Sequence, residues 1–464
     1  MSWRGLADRI VVPALLALLC AAALWRVLAV MGLHVPLDPN EGWNAYHAAS
    51  AMGAGALYPG PQSFMVNNYP PLSFYLIGAL GQLLGDNVVA GRIVSLLAFD
   101  AVGLGLYAVG RRMGCSRSVS SFPPLFFAAG LLVFTDYVGM NDPQLLAHAI
   151  AMGGFLIALR EPRRMQEMAL AALLFVIAAF VKHNVVAMAI ATTVWLFFED
   201  RRRGLHLAAL GLGFLVIGLA LFHLVYGRSL LSVAETARLY SFDQLRASAA
   251  LWLHWTAVPI AVLAVLAVQR WREPYVRLCV CYTLVATAIG VGFLGGAGVD
   301  QNVLFDADIA LALTAALALD RLSGMRALLV AATYAAPLFY TAATSEQWRD
   351  PDSWIHPLRD EAEIARQDIA LIASRPGPAL CEMQSFCYWA GKPAAVDVFN
   401  VGQQFDTGAR SDALLTRQIE ARRFAVIQFD PDSPYSLGQN VHDAMARSYR
   451  LHHSDDYGAF YIPN

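Results

Sequence analysis

Lysine is almost absent from this chain: it has two, Lys182 and Lys392, in an otherwise arginine-based complement. Charge of either sign is thin, at 15% of residues, and 33 basic against 35 acidic side chains leave a formal net charge of −2. The basic residues are scattered, so nothing in the sequence points to nucleic acid as a partner. Cysteine is sparse too. Cys20, Cys279 and Cys281 lie in apolar runs, Cys115 in a basic loop, and Cys381 with Cys387 in the polar C-terminal part, and their spacings make no metal cluster. The last two form a disulfide if their compartment is oxidising, or stay ordinary thiols if it is not. Also missing is any repeat relating the two halves, which counts against a transporter built from inverted repeats.

What the 464 residues do have is apolar length: 57% are hydrophobic, in runs that no soluble fold accommodates. Candidate spans fall near 10–31, 88–110, 120–135, 143–160, 167–182, 183–199, 204–226, 250–269, 275–296, 303–319 and 325–343, about eleven crossings of a hydrocarbon core about 30 Å thick. The first follows Arg4 and Arg9 as a signal peptide would. It is long, contains Arg26 and lacks a clear small-residue cleavage site, so it reads as a retained anchor. Counting crossings puts Arg111, Arg112 and Arg117, then Arg160, Arg163 and Arg164, then Arg201 to Arg203, then Arg270 and Arg272, then Arg321 and Arg326 on the side of the N-terminus. The positive-inside rule makes that side cytoplasmic, and the expected location is the inner cell membrane with the polar loops facing out. Runs 167–182 and 183–199 are short, but fusing them would carry the Arg201 cluster outside, and Lys182-His183-Asn184 marks a turn between them.

Two regions do not span. Residues 226–250, with Glu235, Arg238, Tyr240, Asp243 and Arg246, are long enough to form a lid. Beyond residue 343 the chain turns polar, and 344–464 reads as a small extracytoplasmic α/β domain appended to a membrane domain of 1–343. Its expected strands are Ala379–Glu382, Ala394–Phe399, Phe424–Phe429 and Ala459–Ile462, and its expected helices Pro357–Ala373 and Ser411–Arg422.

The residues with chemical potential gather in the loops opposite the arginines. The first such loop, 32–87, carries Asp38-Pro-Asn-Glu41-Gly and then Asn67-Asn-Tyr-Pro-Pro-Leu-Ser-Phe-Tyr75, leading into an apolar stretch, Leu72 to Leu84, too short to span easily and suited to lie in the interface. Asp38 and Glu41, three residues apart, can converge on one acceptor as a base would, or be solvated acids at a helix exit. Asn141-Asp142-Pro143 opens the fourth span, where either polar residue could cap the helix or serve a site. Lys182, among Phe180, Val181 and Val185, needs an anion or a cavity unless it snorkels. Asp300 and Asn302 precede the tenth span, in which Asp306 and Asp308 must face protein. Trp252, Trp255 and Tyr240 read as interfacial aromatics.

Asp-x-x-Glu-Gly in the first loop, followed by Tyr-Pro-Pro-Leu and an aromatic interfacial helix, resembles the GT-C glycosyltransferases that use polyprenyl-phosphate sugars, nearest the protein O-mannosyltransferase and lipid A aminoarabinose transferase branch. The resemblance implies an α-helical polytopic GT-C fold, interfacial helices, and an inverting transfer from a polyprenyl-monophosphate sugar to an envelope lipid, glycan or protein acceptor. It also implies a first-loop acid as catalyst, and Asp38 is the position carried over. Many relatives have adjacent acids where this chain has Asn40-Glu41, which leaves the choice between Asp38 and Glu41 open. Some carry lysine before the proline pair, where this chain has Tyr69, so another cation must meet the phosphate. Lys182 is the natural one, with His183, Arg92, Tyr69 and Asn68 beside it, and Asp142, Asn141, Asn302 and Asp300 around the substrate. No obligatory metal is implied, although Asp38, Glu41 and Asp142 together could take Mg²⁺ or Mn²⁺. Ligation of a whole glycan from a diphosphate lipid, or flipping of a lipid-linked sugar, are the rival functions.

Overall fold

The computed structural model describes residues 3–161, 164–227, 237–345, 352–430 and 437–464. Arg163 and Glu235 lie outside the described residues, as do the side chains of Arg4 and Arg9. Eight helices are long and apolar enough to cross a membrane: Ile10–Val30, Asn87–Arg112, Arg117–Phe134, Arg201–Tyr226, Phe242–Arg270, Pro274–Leu294, Gln301–Asp320 and Met325–Thr344. Three of the expected spans appear as shorter helices, Gln144–Ala158, Met165–Val181 and Ala187–Glu199. At 1.5 Å per residue these reach only about 20–25 Å, less than the hydrocarbon core. The turn expected at Lys182 is present: the helix Met165–Val181 stops where Lys182 becomes extended, and the chain re-enters a helix at Ala187.

Burial sorts the spans into a centre and a rim. Gln301–Asp320 is 94% buried, as expected of a segment apolar on every face and packed by neighbours all round, whereas Arg201–Tyr226 is 6% buried and offers its leucines to lipid. Asp306 and Asp308 enter that central helix already partnered, Asp306 accepting from the Tyr282 hydroxyl and Asp308 from Trp252 Nε1 at 2.7 Å. Trp252 and Trp255 are therefore not interfacial aromatics: both are buried, one as a donor to a buried carboxylate and one stacked on Phe134. The arginine-bearing turns meet at one end of the bundle, where Glu199 pairs with Arg277 at 2.7 Å, Glu161 with Arg203 at 3.9 Å, Glu273 with Arg321, and Asp320 accepts from the Ser116 backbone. The polar loops meet at the other end.

The non-spanning segment is shorter than its sequence suggests, because the helix Phe242–Arg270 starts well before residue 250. Residues 237–241 run extended against the turn 295–297, with Ser241 N donating to Gly295 O and Ala297 N to Leu239 O. The C-terminal part forms one sheet of order β1-β2-β4-β3, from β1 Ala379–Cys381, β2 Val426–Phe429, β3 Tyr449–Asp455 and β4 Gly458–Pro463. β1 and β2 are parallel, and the other pairings are antiparallel. Helices Asp352–Ser374 and Ala413–Glu420 match two expectations. Ala394–Phe399 is no strand: Asp397 caps a helix, Val398–Asp406, by accepting from Asn400 N at 3.0 Å, and a side-chain cap outweighs β propensity over so short a run. Strand β3 went unforeseen because its Arg-Leu-His-His-Ser-Asp sequence is polar and largely exposed. Cys381 and Cys387 form a disulfide, so the alternative of two free thiols is settled against, and the bond ties β1 to the short helix Gln384–Trp389.

Candidate active site

Asp38 stands at the entrance of the helix Pro39–Ala49, where its side chain accepts from Asn40 N at 2.7 Å and Pro39 takes the first helical position. It is half-buried. Desolvation, the nearby Glu41, Asp142 and Asp300 charges, and only a partial offset from the Asn40 hydrogen bond raise its pKa to about 6. A carboxylate there is ionised at neutral pH and is a stronger base than an ordinary aspartate.

Glu41, one turn on, is fully buried and does different work. Its Oε2 receives Arg92 Nη2 at 2.6 Å and Leu37 N at 3.0 Å, and its Oε1 receives Arg92 Nε at 2.8 Å and Asn141 N at 3.1 Å. The remaining Arg92 donors go to the backbone carbonyls of Val30, Leu33 and Val35, so all five guanidinium N–H groups are used. The pair locks the exit of the first span to the fourth-span entrance and the helix Asn87–Arg112. Neither Glu41 nor Arg92 has a free group to offer a substrate. Asn141 continues this lock, its Nδ2 donating to Glu41 O and its carbonyl accepting from Asn44. Gly91 permits it, since a Cβ there would overlap the Asn141 amide.

The second buried pair is Lys182 with Asp142. Lys182 Nζ lies 2.9 and 2.8 Å from the two carboxylate oxygens, donates to Tyr69 Oη at 3.1 Å, and sits 4.4 Å from the centre of the Tyr69 ring. Asp142 Oδ1 also accepts from Gln144 N; the helix Gln144–Ala158 has Pro143 and not Asp142 at its N-cap, so Asp142 combines a local turn bond with the ion pair. Burial alone would lower the Lys182 pKa; Asp142 and Tyr69 outweigh it and raise the pKa. The snorkelling alternative does not describe this ammonium, which is buried among polar partners. Lys182→Met is consequently expected to destabilise the protein by about 3–5 kcal/mol, the cost of a buried carboxylate left without its cation. Adding Asp142→Asn should restore much of the melting temperature. A Lys182→Met protein that melts with the wild type would show the pair to be solvated.

Lys182 opens on a cavity of about 260 Å³. Pro39, Asn40, Asn68, Tyr69, His183 and Asn302 line it from the membrane part, and Glu382, Gln384, Asp397 and Asn400 from the C-terminal part. Asn302 is held by Gln144, whose Oε1 accepts from its Nδ2 at 3.0 Å. Asp300 is exposed and accepts from Gln301 N, outside the lining. His183 presents an exposed edge, yet desolvation, Lys182 and Arg238 hold its pKa down to about 4, so it is neutral at pH 7. Buried Asp397, raised to about 6 by desolvation, accepts from Trp43 Nε1 at 2.9 Å and joins the two parts beneath the cavity.

Arg238, read from the sequence only as part of the non-spanning segment, is a further cation in the lining. It donates to Ala297 O at 2.7 Å, lies 5.0 Å from the Phe399 ring centre, and its charge acts on buried Asp397, which lines the same cavity. The signal for it was arginine in a non-spanning segment on the face otherwise poor in cations. A second cavity, of about 590 Å³, has Val35, Pro36 and Leu37 as part of its wall with Arg26, Asp136 and Glu361.

Residues 66–254 match a family model described as a 6-pyruvoyl-tetrahydropterin synthase related domain, a membrane protein. No curated protein matches in sequence. Among solved structures, ArnT from Cupriavidus metallidurans bound to undecaprenyl phosphate aligns over 97% of this chain and 98% of its own, with TM-score 0.65 at 12% identity. Its apo form gives TM-score 0.64 at 13% identity over 97% of each chain. The archaeal oligosaccharyltransferase AglB from Archaeoglobus fulgidus, in complex with an inhibitory peptide and a dolichol-phosphate, gives TM-score 0.55 at 13% identity over 100% of this chain and 75% of its own. The fold is the GT-C fold, in a multi-span membrane protein.

Proposed function

We propose that this GT-C chain is a glycosyltransferase moving a sugar from a polyprenyl-monophosphate carrier to an envelope lipid, glycan or protein acceptor at the extracytoplasmic face of the inner membrane. The observation that carries the reading is the arrangement of opposite charges around one cavity: Lys182 and Arg238 in its lining, and a first-loop carboxylate of raised pKa, Asp38, next in the chain to the lining residues Pro39 and Asn40. Asp38 takes the proton of an acceptor hydroxyl or amine as that atom attacks the anomeric carbon. The bond to the carrier breaks on the opposite face and the configuration inverts. The phosphate oxygen gains charge as it leaves, so a cation fixed in a site of low dielectric stabilises the transition state more than the bound donor. Arg238, which lines the cavity without the close carboxylate contact that Lys182 makes to Asp142, is the better placed of the two to meet it. Lys182 shares its charge with Asp142 and polarises Tyr69. Every step is assigned to side chains, and no obligatory metal is part of the proposal.

Purified protein in detergent, given a synthetic polyprenyl-phosphate sugar and an envelope extract from cells lacking the gene, is expected to release polyprenyl phosphate without nucleotide or ion gradient. Arg238→Gln is expected to lower kcat about 10²-fold, as loss of one electrostatic donor does. Failure to consume monophosphate donors while a diphosphate-linked glycan is consumed would overturn the monophosphate reading in favour of ligation.

A further inference from the structure

The geometry points to a divalent-cation site, distinct from the cavity at Asp38, formed by Asp368, His453 and Asp455 in the C-terminal part, and we propose that it takes Zn²⁺. Three donor atoms, one from each residue, lie within 4.8 Å of one another. His453 Nε2 is 2.8 Å from Asp368 Oδ1 and 3.2 Å from Asp455 Oδ2. A tetrahedral ion holding nitrogen and oxygen at about 2.0–2.1 Å sets its donors about 3.3 Å apart, so small movements admit one.

An ion pair alone leaves this cluster unsatisfied. One Nε2–H shared between two carboxylates makes only a bifurcated bond, and Asp368, 1% exposed, keeps Oδ2 buried without a hydrogen-bond partner. A cation would engage what the proton cannot. The surroundings fix the donors as a metal site requires. A register shift in β3 between Leu451 and His453 re-aims the histidine, and its ring stacks on Phe460 at 4.5 Å. Nδ1 of that ring contacts His452 Nδ1 at 3.0 Å, which leaves Nε2 for the ion, and Asp455 spends its Oδ1 on Tyr457 N and keeps Oδ2 for the cluster. One imidazole with two carboxylates suits zinc better than magnesium or calcium, which want all-oxygen shells. Water would complete the coordination. The ion would clip the helix Asp352–Ser374 to the β3–β4 hairpin, whose Asp456 and Tyr457 join Glu361 in the wall of the second cavity.

The test uses the full chain, purified in detergent with its affinity tag removed, stripped by chelator and dialysed against zinc chloride. The four free thiols, Cys20, Cys115, Cys279 and Cys281, are buried and do not compete. Elemental analysis is expected to find about one zinc per chain, with a first shell of nitrogen and oxygen in zinc K-edge absorption. Asp455→Asn, at a partly exposed position that folding tolerates, and His453→Gln should each cut retained zinc at least tenfold while the melting curve stays cooperative. Wild-type protein that retains no zinc, equal retention in both variants, or a sulfur-containing shell would each overturn the proposal.

Discussion

Glu41→Gln should fail to hold the fold rather than merely slow the enzyme. The amide matches the carboxylate in shape but leaves the Arg92 guanidinium, fully buried, without its counter-charge. Removing one partner of such a pair costs about 3–5 kcal/mol, a large part of a domain's net stability. Arg92 also satisfies three backbone carbonyls at the end of the first span, so replacing both members by methionine should rescue little: those carbonyls would be orphaned. The check is thermal unfolding of the purified protein in detergent for wild type, Glu41→Gln and the double substitution. A Glu41→Gln protein that melts with the wild type yet has lost turnover would make Glu41 a group in the reaction and contradict the role given it here.

Asp38→Asn should do the opposite, leaving the melting temperature near that of wild type and lowering kcat by roughly 10²-fold or more, the usual contribution of a general base. The two effects separate cleanly because asparagine is as good an N-cap as aspartate, so the hydrogen bond to Asn40 that starts the helix survives while the base does not. The pH profile gives a second reading of the same residue. With its pKa raised to about 6, Asp38 is protonated as pH falls through that value, and wild-type kcat/KM should drop about tenfold per pH unit below it. An acid limb near 4, or full activity in Asp38→Asn, would take the reaction away from this carboxylate.

Much of the architecture was legible because apolar run length and arginine position are coarse, additive signals. The eleven runs appear as helices, eight of them long and apolar enough to cross a membrane, which leaves the expected eleven crossings larger than the number of full-length spans; the Lys182 turn follows from the cost of an ammonium inside an uninterrupted span. The site was legible as a set of residues but not as a division of labour among them. Asp38 and Glu41 look equivalent in a sequence; what separates them is that Arg92, 51 positions away, reaches one and not the other. The same long-range pairing removes Arg92 from the phosphate-binding candidates and gives Lys182 a carboxylate partner, Asp142, 40 residues off. Arg238 reads in the sequence only as one charge of a non-spanning segment; that it lines the same cavity as Lys182 and Asp397 is a matter of three-dimensional placement. Trp252 and Trp255 went the wrong way because an aromatic near a span end is interfacial on average, and the buried Asp308 that recruits Trp252 lies in another helix.

The disulfide between Cys381 and Cys387 has a bearing on biogenesis. It closes a six-residue separation beside Glu382 and Gln384, both of which form part of the cavity lining. Such a bond forms where the compartment is oxidising, so on the proposed extracytoplasmic placement this part of the lining takes its final covalent form only after the C-terminal part has crossed the membrane. The membrane helices precede this part in the chain, so on that placement they insert before the covalent closure beside the cavity is made. Overproduction would then be limited by oxidative folding capacity and not by insertion. Cells deficient in thiol oxidation should accumulate a membrane-inserted form whose two thiols take up an alkylating reagent.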